Sequence, residues 1–196
     1  MRTLPSSVLA DPTFRVPLVP PAPPGTYGLA WLRAHVARFS EGDDHVRRRA
    51  LAAAVIADLD RAVRPAADPT LALVRACGLA DHHTHDVALV AAAYQPHAPQ
   101  GPAADDAVVR LVEEAGARDE GTAALIGVLV QAHAAVHALV AQRRGDAPPG
   151  PPVPATRRVG PTGEEVAVDL TDAPFGRGPH ACPGRALALR LAEACS

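Results

Sequence analysis

Apolar residues recur at helical spacing along most of the chain, and proline-rich stretches interrupt them. The pattern predicts helices over residues 28–38, 44–63, 68–79, 86–94, 104–116, 122–144 and 187–194. Ser40 and Gly42 to Asp44 lie between the first two segments as a break and as N-cap candidates, so these are two helices or one bent helix. The spacing therefore favours a mainly helical protein.

Strand-like alternation is confined to one region near the C-terminal end. Residues 155–159 and 164–169 alternate around a Gly-containing turn, which predicts two short strands, and we expect no other β structure. Residues 18–24 are proline-dense, which favours an extended conformation. We therefore expect a proline-rich N-terminal arm over residues 1–27 and a single helical domain over residues 28–196.

Composition narrows the function classes. The formal charge is -2, so the sequence shows neither the basic patch of a nucleic-acid-binding protein nor a polybasic membrane signal. All 19 cationic side chains are Arg, which excludes chemistry that depends on Lys. Three cysteines without paired spacing favour a reducing compartment. With no apolar stretch that approaches the roughly 20 residues of a membrane span, we expect a soluble, cytoplasmic protein.

The segment Phe-Gly-Arg-Gly-Pro-His-Ala-Cys-Pro-Gly, residues 175–184, concentrates the chemistry. Pro183 after Cys182 predicts the start of the last helix, because proline is tolerated in a first turn. The thiol then lies at a helix N-terminus, where the dipole and unpaired N–H groups favour the metal-binding thiolate. Gly176, Gly178 and Gly184 allow turns and the close approach of a flat group.

This pattern, Phe-Gly-x-Gly-x-His-x-Cys-x-Gly, resembles the heme loop of the cytochrome P-450 family. The resemblance implies a truncated P-450-like helical fold with a small β element before the heme-ligand loop. It also implies heme b with Cys182 as the axial iron ligand, His180 facing a propionate, Phe175 packed under the cysteine, and Gly184 beside the cofactor. The alternative is a Gly/Pro loop whose cysteine merely caps a helix.

Heme propionates need cations from distant parts of the chain. His45 and Arg49, four residues apart on one helix face, resemble the family's His-x-x-x-Arg pattern, and Arg158 resembles the arginine of the strand beneath the heme edge. The alternative for each is a solvated charge. Trp31, in the helix before, is either a family-like position or a core aromatic.

The predicted helix over residues 122–144 resembles the family's central distal helix but departs from it. Ala132 keeps the small residue that lets heme approach, whereas Ala134 and Ala135 replace the usual acid and alcohol. Proton delivery would then fall to substrate, to water, or to His133 and His137, with His133 our predicted catalytic donor. Alternatively, both histidines are partly exposed helix residues.

The chain is shorter than usual family members, and between Arg144 and Pro151 it has no room for their Glu-x-x-Arg helix. The resemblance implies a compact heme-thiolate oxidoreductase that oxidises a small organic substrate with dioxygen and a ferredoxin-type donor, or with peroxide. The alternative is a non-catalytic accessory protein that stabilises a biosynthetic partner enzyme. An exposed heme edge would favour a homodimer.

A separate metal hypothesis comes from the run Asp-His-His-Thr-His-Asp at residues 81–86. Imidazole and carboxylate groups bind zinc or nickel, so His82, His83 and His85 are candidate ligands. The spacing matches no tight motif, and histidines in a loop are commonly solvent-exposed.

Overall fold

The helices of the protein follow the apolar pattern closely. The computed structural model describes residues 1–99 and 101–195. Its helices are α1 (Leu29–Ala34), α2 (Gly42–Ala62), α3 (Pro69–Ala76), α4 (His83–Ala93), α5 (Pro102–Ala115), α6 (Glu120–Arg144) and α7 (Arg185–Ala194). Its strands are β1 (Arg2–Leu4), β2 (Ala155–Val159) and β3 (Glu165–Asp169). The predicted mainly helical fold is confirmed.

Local capping explains where the longer elements start and stop. The Asp68 carboxylate accepts a hydrogen bond from the Leu71 N–H (2.9 Å) at the start of α3, and the Asp119 carboxylate accepts one from the Thr122 N–H (2.8 Å) at the start of α6. Gly145, with a φ of 81°, ends α6 in the left-handed conformation that glycine adopts without strain. The sequence alone encodes these boundaries.

Among the helix boundaries that differ from the prediction, those of α1 and α4 matter most for the candidate sites. The first predicted helix ends early, because α1 stops at Ala34 and a separate 3₁₀ turn covers Ala37–Phe39 before α2. The fourth helix begins early, at His83, so the histidine-rich segment is the first turn of α4 rather than a loop. The prediction of a histidine loop was therefore wrong, because Asp86 pairs with His83 inside the helix.

The sheet has the strand order β1-β3-β2, with β2 antiparallel and β1 parallel to β3. The expectation of only two strands was wrong, since β1 lies within residues 1–27, predicted as an arm. A three-residue strand has no detectable periodicity of its own, and it forms because β3 offers an unpaired edge. Leu9, Val166, Val168 and Leu170 form a small core on this sheet.

The main core is built around α6, which packs against α2, α4 and α7. Ile126, Leu129 and Val130 of α6 are almost fully buried there, and Trp31 of α1 joins the same core. Among the described residues, α6 is long and apolar enough to cross a membrane, a stretch that the sequence prediction missed. A core helix passes the same test of length and composition, so the finding is weak on its own.

Candidate functional site

The cysteine loop is held in place by backbone contacts. The Cys182 N–H donates to the Phe175 carbonyl (2.8 Å), which closes the loop on itself. Gly178 has a φ of 66°, and a Cβ there would collide with the backbone carbonyl of Leu9. The loop thus rests on the 3₁₀ turn Ser6–Ala10, and only glycine permits that approach.

Cys182 lies just before α7, as predicted, with its side chain accessible to solvent. Desolvation by the surrounding protein raises the pKa of its thiol above the ordinary value. A hydrogen bond from the Gly184 N–H and the charges of Arg49 and Arg38 lower the pKa but do not outweigh burial. This desolvation opposes the stabilisation of the thiolate expected at a helix start, and a bound cation would favour the thiolate.

Phe175 and Arg185 flank the loop from opposite ends of the motif. The Phe175 side chain is half-buried, and the Arg185 guanidinium lies 5.3 Å from its ring centroid. The predicted role of Phe175, packing under the cysteine ligand, remains a prediction, although its carbonyl already contacts the cysteine N–H.

Two predicted histidines meet beside the loop. The rings of His45 and His180 stack with centroids 4.0 Å apart, although they come from α2 and from the loop. His45 is 6% exposed, and its Nε2 atom has no hydrogen-bond partner. His180 faces the Glu41 carboxylate across 3.4 Å. The pair therefore presents a buried, unsatisfied nitrogen.

Desolvation keeps both imidazoles neutral near pH 7. Burial, together with the Arg49 charge, lowers the pKa of His45. Burial and the nearby His45 lower the pKa of His180 to about 4, even though Glu41 acts in the opposite direction. An anion bound beside the pair would reverse this balance, because it would stabilise the imidazolium.

The two predicted arginines also lie at the loop side of the molecule. Arg49 donates to the Ala181 carbonyl (2.8 Å) and so joins α2 to the loop. Arg158 on β2 is 5% exposed and donates to the Thr156 hydroxyl (3.3 Å) and to the Arg157 carbonyl (2.8 Å). Burial and the Arg38 charge lower the pKa of Arg158 to about 10.

Arg38 is a site residue that the sequence interpretation missed. It lies in the 3₁₀ turn between α1 and α2, half-buried, where its charge acts on Cys182, Tyr94 and Arg158. Burial lowers its pKa. The sequence carried no signal that singled it out, because Arg38 is one of two arginines between residues 29 and 39 and lies seven residues before His45.

The predicted distal residues lie elsewhere on α6. Ala132 is half-buried against the main core. His133 Nδ1 lies 2.7 Å and His137 Nε2 3.1 Å from the Thr70 hydroxyl of α3. Burial and the nearby His137 lower the pKa of His133. No hydrogen bond, ion pair or ring contact joins His133 to the cysteine loop among the described residues, so its catalytic role remains a prediction.

The histidine-rich start of α4 offers no metal centre. His83 is buried and its Nδ1 lies 2.8 Å from Asp86, which also receives a 2.5 Å hydrogen bond from Arg110. His82 and His85 are exposed. Within residues 1–99 and 101–195 no group of three or more ligating side chains is placed to hold a metal ion, which leaves the zinc or nickel hypothesis without support.

The loop side nevertheless fits a heme. His45 Nε2 is buried without a partner, and Arg158 is buried without a carboxylate within 4.0 Å among the described residues, so an anionic group would satisfy both. The accessible thiol of Cys182 lies next to them at the start of α7. A cofactor with a thiolate-binding metal and carboxylate groups matches this donor set.

Comparison with known proteins supports the fold. No family model matches the sequence, and no curated protein matches it. P450BioI, solved in complex with an acyl carrier protein ligated to hexadec-9Z-enoic acid, is similar with a TM-score of 0.69 and 15% identity, covering 97% of this chain and 80% of that one. CalO2 is similar with a TM-score of 0.65 and 15% identity, covering 97% and 79%. The chain therefore has a cytochrome P-450-like fold.

Proposed function

We propose that the protein is a heme-thiolate oxidoreductase of the cytochrome P-450 type that oxidises a small organic substrate. The observation that carries the proposal is the convergence of Cys182, the His45–His180 pair and Arg158 at one place in this fold. Cys182 would bind the iron of heme b, while His45, His180, Arg49 and Arg158 would bind the propionates. When bound, the heme would supply the one-electron and oxygen chemistry.

The chain's own residues would prepare the site in three ways. The hydrogen bond from the Gly184 N–H would stabilise the negative charge on the Cys182 sulfur. The Arg49 bond to the Ala181 carbonyl would keep α2 and the loop at a fixed separation. His45 and His180 would take up protons when carboxylates bind, because burial now holds them neutral.

Proton supply and electron supply distinguish two variants of the proposal. Ala134 and Ala135 stand where related chains carry an acid and an alcohol, which favours peroxide as oxidant over dioxygen with a ferredoxin-type donor. His133 is the candidate proton donor of the second variant. Turnover with peroxide alone, compared with turnover with an electron donor, decides between them.

A non-catalytic accessory protein is the second candidate function. The observation in its favour is that α6 carries alanine at both positions of the usual proton-delivery pair. Such a protein would act by binding a biosynthetic partner enzyme, and it would retain a partner in co-purification while it shows no turnover with either oxidant.

The absorption spectrum of the reduced, CO-treated protein tests the leading proposal. We expect a thiolate-heme Soret band in the wild type and its loss in Cys182→Ala, because no other thiol lies at the loop. Cys77 is a half-buried cysteine at the C-terminal cap of α3. Cys77→Ala is therefore the matched control and should keep the band. Colourless protein from heme-replete cells would overturn the proposal.

A further inference from the structure

A cavity of about 450 Å³ lies between the N-terminal segment, the 3₁₀ turn that carries Arg38, the residues after α4, and the sheet. This volume is in the range of pockets that hold small organic ligands. Val16, Pro17, Phe39 and Val153 give the cavity apolar walls, and Arg38, His97, Arg157 and Arg158 give it polar or cationic ones.

The cavity shares Arg158 with the proposed propionate site but contains no described residue of the cysteine loop. Its lining includes no described residue of the loop 175–184, of α6 or of α7. A group bonded to the Cys182 sulfur would have to contact that loop. The two places are nevertheless neighbours, because the Arg38 charge acts both on the Cys182 thiol and on Arg158, which lines the cavity.

The charges in the cavity do not balance. Arg157 is paired with Glu165 (3.2 Å), but no carboxylate pairs with Arg38 or Arg158 in the part of the chain that the structure describes. Glu41 is close enough to act on Arg158 through space, yet its carboxylate accepts from the Val16 N–H (2.7 Å) and faces His180. Because Arg158 is assigned to the propionates, Arg38 is the desolvated guanidinium that the cavity leaves without a counter-charge. An unpaired, desolvated charge is costly, so the cavity favours an anion.

A second unsatisfied group lies beside Arg38. Tyr94 is 2% exposed, and its hydroxyl has no hydrogen-bond partner. Its ring packs on Phe39, with centroids 5.3 Å apart, and Phe39 lines the cavity. Burial raises the pKa of Tyr94, so the phenol stays protonated and can donate a hydrogen bond. Tyr94 itself does not line the cavity, so Arg38 is the group through which the cavity would meet a carboxylate.

We propose that this cavity is the substrate pocket and that the substrate is a small amphipathic carboxylate, with Arg38 as the cation that selects it. The apolar part of the molecule lies against Val16, Pro17 and Phe39. The role as substrate rests on the proposed oxidoreductase function, whereas binding of the carboxylate depends only on the cavity.

Calorimetric titration of the purified protein with decanoate and with 1-decanol tests the proposal. We expect decanoate to bind at least tenfold more tightly, because only the carboxylate meets Arg38. Arg38→Gln should raise the Kd of decanoate about tenfold and leave that of decanol unchanged. Arg61→Gln, which removes an exposed cation paired with Asp58 on α2, is the control and should change neither.

Arg38→Lys provides a second test if Arg38→Gln does not fold, since it keeps the charge and removes the planar guanidinium fork that matches a carboxylate. It should weaken decanoate binding severalfold and leave decanol binding unaffected. Equal affinity for the two ligands, or an unchanged preference in a folded Arg38→Gln, overturns the proposal. So does loss of heme from Arg38→Gln without loss of the preference, since Arg38 would then serve the cofactor.

The two proposals fail in different ways. Protein without a thiolate-heme band that still prefers decanoate through Arg38 would end the oxidoreductase proposal and leave the carboxylate pocket standing. Protein with the band but without the preference would end only the carboxylate proposal.

Discussion

The histidine pair at the cysteine loop differs sharply from the pair on α6. His45 and His180 stack at 4.0 Å, and the Nε2 atom of His45 has no partner. His133 and His137 stack at 4.7 Å, and both ring systems lie within hydrogen-bonding distance of Thr70. The first pair contains a buried nitrogen without a partner, whereas the second pair is satisfied by the protein itself.

The difference separates a binding role from a structural one. An unsatisfied buried nitrogen lowers stability unless a ligand supplies the partner, which favours a binding role for His45. His137 also lies 3.3 Å from Asp68, the residue that caps α3, so the α6 pair fastens α3 to α6. This contact favours a structural role for His133, whereas the sequence predicts a catalytic one.

Removing each pair in turn gives the largest expected effect. The double variant His45→Ala, His180→Ala should raise the Kd for heme about a hundredfold, because two donors to the propionates are lost. The matched variant His133→Ala, His137→Ala should retain heme within about threefold of the wild type. Heme titration of the cofactor-free proteins measures both, and equal losses from the two variants would remove the distinction.

The second largest expected effect is the dependence of the free energy of unfolding on pH. The folded pKa of His180, about 4, lies below the ordinary 6.5, so only the unfolded state takes up this proton between those values. In the cofactor-free protein we expect the free energy of unfolding to be highest above pH 6.5 and to fall by about 3 kcal/mol toward pH 4.

Urea unfolding of the wild type and of His180→Gln between pH 7 and pH 4 measures this slope. The variant should lose most of the dependence of the free energy of unfolding on pH. Bound heme should reduce that dependence in the wild type, because propionates would stabilise the protonated imidazole. A slope unchanged in His180→Gln would assign it to other groups, such as His133, whose pKa is also lowered.

The smallest expected effect concerns the Thr70 hydroxyl, which contacts both His133 and His137. Thr70 is 1% exposed, and Thr70→Val should lower the free energy of unfolding by about 1 kcal/mol, because both histidines lose a partner. Thr84→Val is the matched control: the Thr84 hydroxyl is buried without a partner, so its removal should be neutral or stabilising. Chemical denaturation that ranks the two in the opposite order would contradict the structural role of Thr70.

Much of the fold could be predicted from the sequence because it is locally encoded. The apolar spacing located α6 to within two residues of its start, and the cysteine motif located the loop before α7. β1 could not be predicted, because three residues carry no period and pair only with the edge that β3 provides. Burial of His83 was likewise hidden. Its partner Asp86 is paired in turn with Arg110, which belongs to the neighbouring helix α5.

The candidate site divides in the same way. The sequence by itself determined the residue types and the motif: the cysteine at a helix start, the glycines of its loop, and His45 four residues before Arg49. Only the tertiary structure decided that the His45 ring lies against the His180 ring and that Arg38 shares a cavity with Arg158. It also decided that the Thr70 hydroxyl contacts the histidines of α6. The physical reason is that local backbone preference acts over a few residues, whereas desolvation and unsatisfied hydrogen bonds depend on which distant segments pack together.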